Sequence, residues 1–189
     1  MKKTILIIIA FGLSYPNSYS QKVYKQGNKV YLECTIESGM PSYSVTNDSK
    51  CVGGIASNKK YRNGDISINS YATENDKVYE KLEIDLSDNL NASSATMDWV
   101  TAYNGCKAKS DAGWRLPSQR ELILMFIFKP ALDSIFAKIG GSSFNGTYWS
   151  SSEKSATKSW TFNFIGSTTF TNDKTSTYIR ARCVKEVTL

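Results

Sequence analysis

The 189-residue chain contains no histidine. That absence removes Ser-His-Asp and Cys-His nucleophilic sites, histidine-held zinc or haem, and the usual general base near neutral pH. Its four cysteines, Cys34, Cys51, Cys106 and Cys183, form no C-x-x-C pair. A thioredoxin-like redox site or a zinc ribbon is therefore excluded. The apolar run from Ile5 to Leu13 falls well short of the ~20 residues that cross a bilayer as a helix. What remains is ordinary for a globular domain, with 41% hydrophobic and 21% charged residues.

The short apolar run has a different meaning. Lys2 and Lys3 precede it and a polar stretch ending Ser18-Tyr19-Ser20 follows, the pattern of a secretory signal peptide over residues 1–20. No cysteine lies near the expected cut before Gln21, so a lipoprotein anchor is not expected. The mature chain should be exported, secreted or on the cell surface, with no membrane span. In that oxidising setting four cysteines imply two disulfides. Of three possible connectivities the preferred set is Cys34–Cys51 with Cys106–Cys183. The second closes a loop of nearly eighty residues, worth about 4 kcal/mol by chain entropy.

Charge divides the mature chain. Residues 21–95 carry nine Lys and Arg against ten Asp and Glu, whereas residues 96–189 carry twelve against seven. An electrostatic partner is therefore acidic and meets the C-terminal half.

Local patterns predict the elements. Val23–Gln26 and Lys29–Leu32 flank Gly27-Asn28, which reads as a hairpin. Residues 39–70 lack periodicity, apart from a possible short strand at Cys51–Ile55. Lys77–Leu86 reads as a strand or a short helix, and Asp88–Ser94 as a linker or helix entry. Trp99, Ala102, Tyr103 and Cys106 recur at helical spacing behind Ser94 as the expected cap. Ser118-Gln119-Arg120-Glu121 is a capping box that starts a second helix at about Gln119. Pro130 interrupts that helix, and a further turn or two ends at Gly140-Gly141.

Strands should follow at Thr147–Ser151, Ser159–Phe164 and Thr168–Thr171, with turns at Gly166-Ser167 and Asn172–Lys174. In a last strand Ile179, Ala181 and Cys183 alternate with Arg180 and Arg182. The cysteine then points inward towards Cys106, and the arginines point out.

Trp99 with Cys106 in one helix, Gly113-Trp114-Arg115-Leu116-Pro117-Ser118 before Glu121-Leu122, Tyr148-Trp149-Ser150-Ser151, and Arg180-x-Arg182-Cys183-Val184 together resemble the C-terminal domain of Legionella collagen-like proteins. The resemblance covers roughly residues 95–187. It implies an α+β, C-type-lectin-like fold in which two helices pack on a twisted antiparallel sheet and a disulfide ties the first helix to the last strand. Short N-terminal hairpin strands would precede that domain, with a β-rich segment at 21–94 and the domain itself at 95–189. It further implies a secreted adhesive role with sulfated glycosaminoglycans as one ligand class. The calcium-lectin motifs Glu-Pro-Asn, Gln-Pro-Asp and Trp-Asn-Asp are missing, and, with Cys106 and Cys183 bonded, the chain lacks a spare cysteine pair of the kind a copper-dependent formylglycine-generating activity needs.

No metal, cofactor or catalytic residue is expected. Asp98, Glu121 and Asp133 have helix-end or surface explanations, so no paired carboxylates for glycoside hydrolysis stand out. The basic positions are too sparsely interleaved with aromatics for nucleic acid. Trp114 and Arg115 read as structural, as do Trp149 and Trp160. The candidate ligand-binding residues are Arg180 and Arg182, whose guanidinium groups suit bidentate capture of sulfate or carboxylate, Lys154, Lys158 and Lys174 in strand connections, and Tyr148 as a sugar-stacking ring. The expected partners are acidic glycans or, alternatively, a fimbrial or other surface-assembly subunit that pairs with the N-terminal strands.

Overall fold

A computed structural model of the chain describes residues 22–33, 81–88 and 95–187. The signal segment 1–20, the Cys34–Cys51 pairing, the Cys51–Ile55 strand and the Ser94 cap lie outside the described residues.

Among the described residues, two five-stranded sheets and three helices form the domain. β1 (Lys22–Gln26) and β2 (Lys29–Glu33) make the expected hairpin, turning at Gly27 with φ 59°, a conformation that glycine adopts without a Cβ clash. The described part of the ambiguous 77–86 stretch contains a strand, β3 (Lys81–Ile84), paired antiparallel with β2. Its Leu82 and Ile84 alternate inward with Val30 and Leu32 across the ladder. The sheet is completed by β5 (Trp114–Arg115) and β10 (Val184–Glu186), in the order β1-β2-β3-β10-β5. Strands from both sides of residue 94 thus share one sheet.

The second sheet comprises β4 (Thr96–Met97), β6 (Thr147–Glu153), β7 (Lys158–Asn163), β8 (Thr168–Asp173) and β9 (Ile179–Arg180), ordered β4-β9-β6-β7-β8. β8 reaches Asp173, so Asn172 and Asp173 belong to a strand and not to the expected turn.

Helix α1 (Trp99–Lys107) begins one turn later than the sequence suggested. Asp98 is its cap, accepting from the Thr101 amide at 2.7 Å, because Thr96 and Met97 are held extended against β9. Helix α2 (Gln119–Ile127) opens on the expected capping box. The break at Pro130 yields a full third helix, α3 (Lys129–Ile139), since proline is tolerated in a first turn where no intrahelical N–H is needed. The expectation of two helices on one sheet is corrected to three helices and two sheets among the described residues.

Two apolar clusters hold these layers, and neighbouring residues of β6 feed both. Tyr148 joins Val30, Ile84, Leu122, Phe136, Phe144 and Phe162 in one, while Trp149 joins Trp99, Cys106, Ile179 and Cys183 in the other. The two-residue period of a strand sends adjacent side chains to opposite faces, so this central strand serves as the wall between the clusters. Cys106 and Cys183 are bonded inside the second cluster, both fully buried.

Candidate functional site

The six candidate residues fall into three different environments. Around the end of β3 the chain builds a buried ionic node. The Asp88 carboxylate accepts from Arg182 Nε at 3.0 Å and Nη2 at 2.7 Å, and from Arg180 Nη1 at 3.0 Å. The Tyr148 hydroxyl donates to it at 3.2 Å. Arg182 also donates to the Asp85 carbonyl at 3.1 Å and the Ser142 carbonyl at 2.9 Å, and its guanidinium sits 4.5 Å from the centre of the Phe144 ring. Three groups of the guanidinium are therefore occupied by protein, and the side chain is 0% exposed.

The outward placement of Arg182 is corrected for a physical reason. The last strand is not continuous: β9 ends at Arg180, residues 181–183 cross irregularly, and β10 resumes in the other sheet at Val184. Alternation holds only within a regular strand, and here Ala181, Arg182 and Cys183 are all buried. Arg180 keeps a side-chain exposure of 31% while paired with Asp88. Tyr148 is buried too, and burial next to the Asp88 charge pushes its phenol up to about 12.

Lys174 lies in the expected connection between β8 and β9, but it is buried there and is not an exposed cation. Its backbone N–H donates to the Thr157 carbonyl at 2.8 Å, its own carbonyl accepts from the Trp99 amide at 2.9 Å, and its ammonium donates to Glu153 at 2.5 Å. Both side chains of that pair are fully buried, and the ammonium lies 4.6 Å from the centre of the Trp99 ring. Glu153 was not singled out in the sequence.

Trp114 and Arg115 behave as structural residues. Arg115 grips Glu121 through two N–H groups at 2.8 and 2.9 Å, and Glu121 also accepts from the Ser118 amide at 2.8 Å. The Gly113–Glu121 motif is thus a helix cap locked by a buried ion pair.

The third environment is the end of the β6–β7 hairpin. Lys154 lies in the connection as expected, whereas Lys158 is the first residue of β7, in register with Asp173; both are exposed, and the Lys154 ammonium lies 5.7 Å from the centre of the half-buried Trp160 ring. Lys158 pairs with Asp173 at 3.2 Å with both side chains about half exposed, a geometry worth under ~1 kcal/mol that an incoming anion can replace. No carboxylate among the described residues pairs with Lys154. Thr171 stands opposite Trp160 on β8, on the same face of the sheet. Trp160 is therefore not the full core residue that its alternation suggested.

Among the described residues no three His, Cys, Asp or Glu side chains gather to hold a metal ion, and no helix is long and apolar enough to cross a membrane. A search of curated proteins finds no match to the chain. The Lcl C-terminal domain family model matches residues 60–185, two thirds of the sequence and every motif that carried the resemblance. The chain belongs to the Lcl (Legionella collagen-like) C-terminal domain family, whose members are non-catalytic adhesive or structural modules of secreted and cell-surface bacterial proteins.

Proposed function

We propose that this adhesion-related module binds anionic carbohydrate, meaning sulfated or uronic acid-rich glycans, at the β6–β7 hairpin end. The observation that carries the reading is the Lys154 ammonium lying beside the half-buried Trp160 ring with Lys158 nearby. A pyranose ring buries its C–H face against an indole, and a sulfate or carboxylate on that sugar meets the two ammonium groups. Arg180 stands as a secondary contact through its exposed portion. Arg182, Lys174 and Tyr148 contribute by holding the scaffold, since a ligand would have to break buried ion pairs or packing to reach them.

The test is binding of the exported protein to an array of sulfated, uronic acid-containing and neutral glycans at two salt concentrations, with and without EDTA. Binding to acidic glycans that weakens with salt and ignores EDTA is the expected result. A blank array, or binding to neutral sugars only, would overturn it. The alternative of a fimbrial or other assembly subunit acting through its N-terminal strands has weaker support. β1 is a sheet edge, but Lys22 and Lys25 on it discourage strand addition.

A further inference from the structure

The two sheets expose four edges, and three of them are blunted. β4 and β5 are only two residues long, and β1 carries Lys22 and Lys25. β8 is different. It runs six residues, Thr-Thr-Phe-Thr-Asn-Asp, with every residue in unbroken register against β7 and no strand on its outer side among the described residues. It contains no lysine, proline or bulge, and its one charge, Asp173, lies at its end and is paired with Lys158. A long, unbroken edge with so little charge presents open N–H and C=O groups that natural proteins otherwise protect.

The sequence of that edge also indicates its partner. Thr169-Phe170-Thr171 reads identically in both directions, and Thr168 and Asn172 flank it with small polar side chains. We infer that β8 pairs antiparallel with β8 of a second copy of this chain about a two-fold axis at Phe170. Opposed residues in an antiparallel pair share a sheet face, so the symmetric register sets Phe170 against its own copy, Thr169 against Thr171, and Thr168 against Asn172. No like charges meet, and aromatic and threonine cross-strand pairs are favourable.

The side of β8 on which Phe170 lies is also where apolar surface remains open. Phe170 is 37% exposed, and Tyr178, whose hydroxyl donates to Asn172 at 3.0 Å, is 67% exposed. Pairing joins two five-stranded sheets into one, with Trp160 of each copy on the opposite face from Phe170. Two glycan sites on one continuous face would then gain avidity, although the pairing itself rests on the edge alone and not on any ligand.

Sedimentation velocity of the exported protein across a hundredfold concentration range tests this, together with oxidative cross-linking of variants that each carry one added cysteine. The expected result is a concentration-dependent dimer whose dissociation constant rises at least about tenfold, or 1.4 kcal/mol, in Phe170→Lys, which opposes two ammonium groups. Phe170→Cys should cross-link far faster than Ile165→Cys at the more exposed hairpin tip, because opposed Cα atoms at roughly 4.5–5.5 Å suit a disulfide. A monomer at every concentration would overturn the inference. So would a dimer indifferent to Phe170→Lys in which the two cysteine variants link equally fast.

Discussion

Two sets of cations, Arg180 with Arg182 and Lys154 with Lys158, carry the same formal charge and both sit at strand ends, yet they do opposite work. The arginines converge on one carboxylate, Asp88, and Arg182 is sealed beneath Phe144 with its N–H groups aimed at loop carbonyls. The lysines stay on the surface, where one lies beside an indole and the other holds an exposed pair. The difference follows from the side chains. A planar guanidinium can satisfy an irregular crossover with several fixed donors, whereas an ammonium on a flexible stem stays hydrated. Lys174 shows that the rule bends when a buried Glu153 and a tryptophan ring both await the ammonium.

The comparison breaks most sharply at the node. Arg182→Ala leaves Asp88 short of its best partner in a 10%-exposed position, so unfolding in urea should show a loss of about 3–5 kcal/mol. Next comes the neighbouring covalent tie. Replacing Cys106 and Cys183 together by alanine opens a loop of 77 residues and should cost about 4 kcal/mol by the same measurement. If the arginine variant were the milder of the two, the crossover would owe more to the disulfide than to the ionic node.

Tyr148 adds a pH signature. Its folded phenol titrates near about 12 against an ordinary value of 10, so the unfolded chain loses this proton first as pH rises. Stability from the neutral phenol is complete below pH 10 and falls as the pH climbs towards 12, by about 2–3 kcal/mol. Tyr148→Phe should remove that part of the alkaline decline, seen as a flatter melting-temperature profile above pH 10. At the small end, Lys154→Ala with Lys158→Ala should change stability by less than ~0.5 kcal/mol while weakening binding to sulfated glycan severalfold.

How far the sequence reveals this molecule depends on regularity. The capping box at Ser118, the helical stripe ending at Cys106 and the turn at Gly27 are local signals with local physics, and each is found in place. Pairing of Cys106 with Cys183 was also readable, because both lie on apolar faces. The orientation of Arg182 was not, since the chain leaves one sheet and enters the other between residues 180 and 184 and no alternation survives that step. Asp88 and Glu153 were missed for a related reason. A single carboxylate in a polar stretch gives no sign that cations 94 and 21 residues away will fold onto it. At the hairpin end the lysines were legible, but the half-exposure of Trp160 was not, because alternation fixes which face a residue takes and not whether that face is covered.

The most direct test of the division of labour is titration of a sulfated glycosaminoglycan into three proteins: the wild type, Lys154→Ala with Lys158→Ala, and Arg180→Ala, each confirmed as folded by its melting temperature. Severalfold weaker binding and a shallower salt dependence in the lysine variant, with a smaller change in the arginine variant, is the predicted result. Unchanged binding in the lysine variant, or a loss confined to Arg180→Ala, would contradict it and return the glycan site to the Asp88 node.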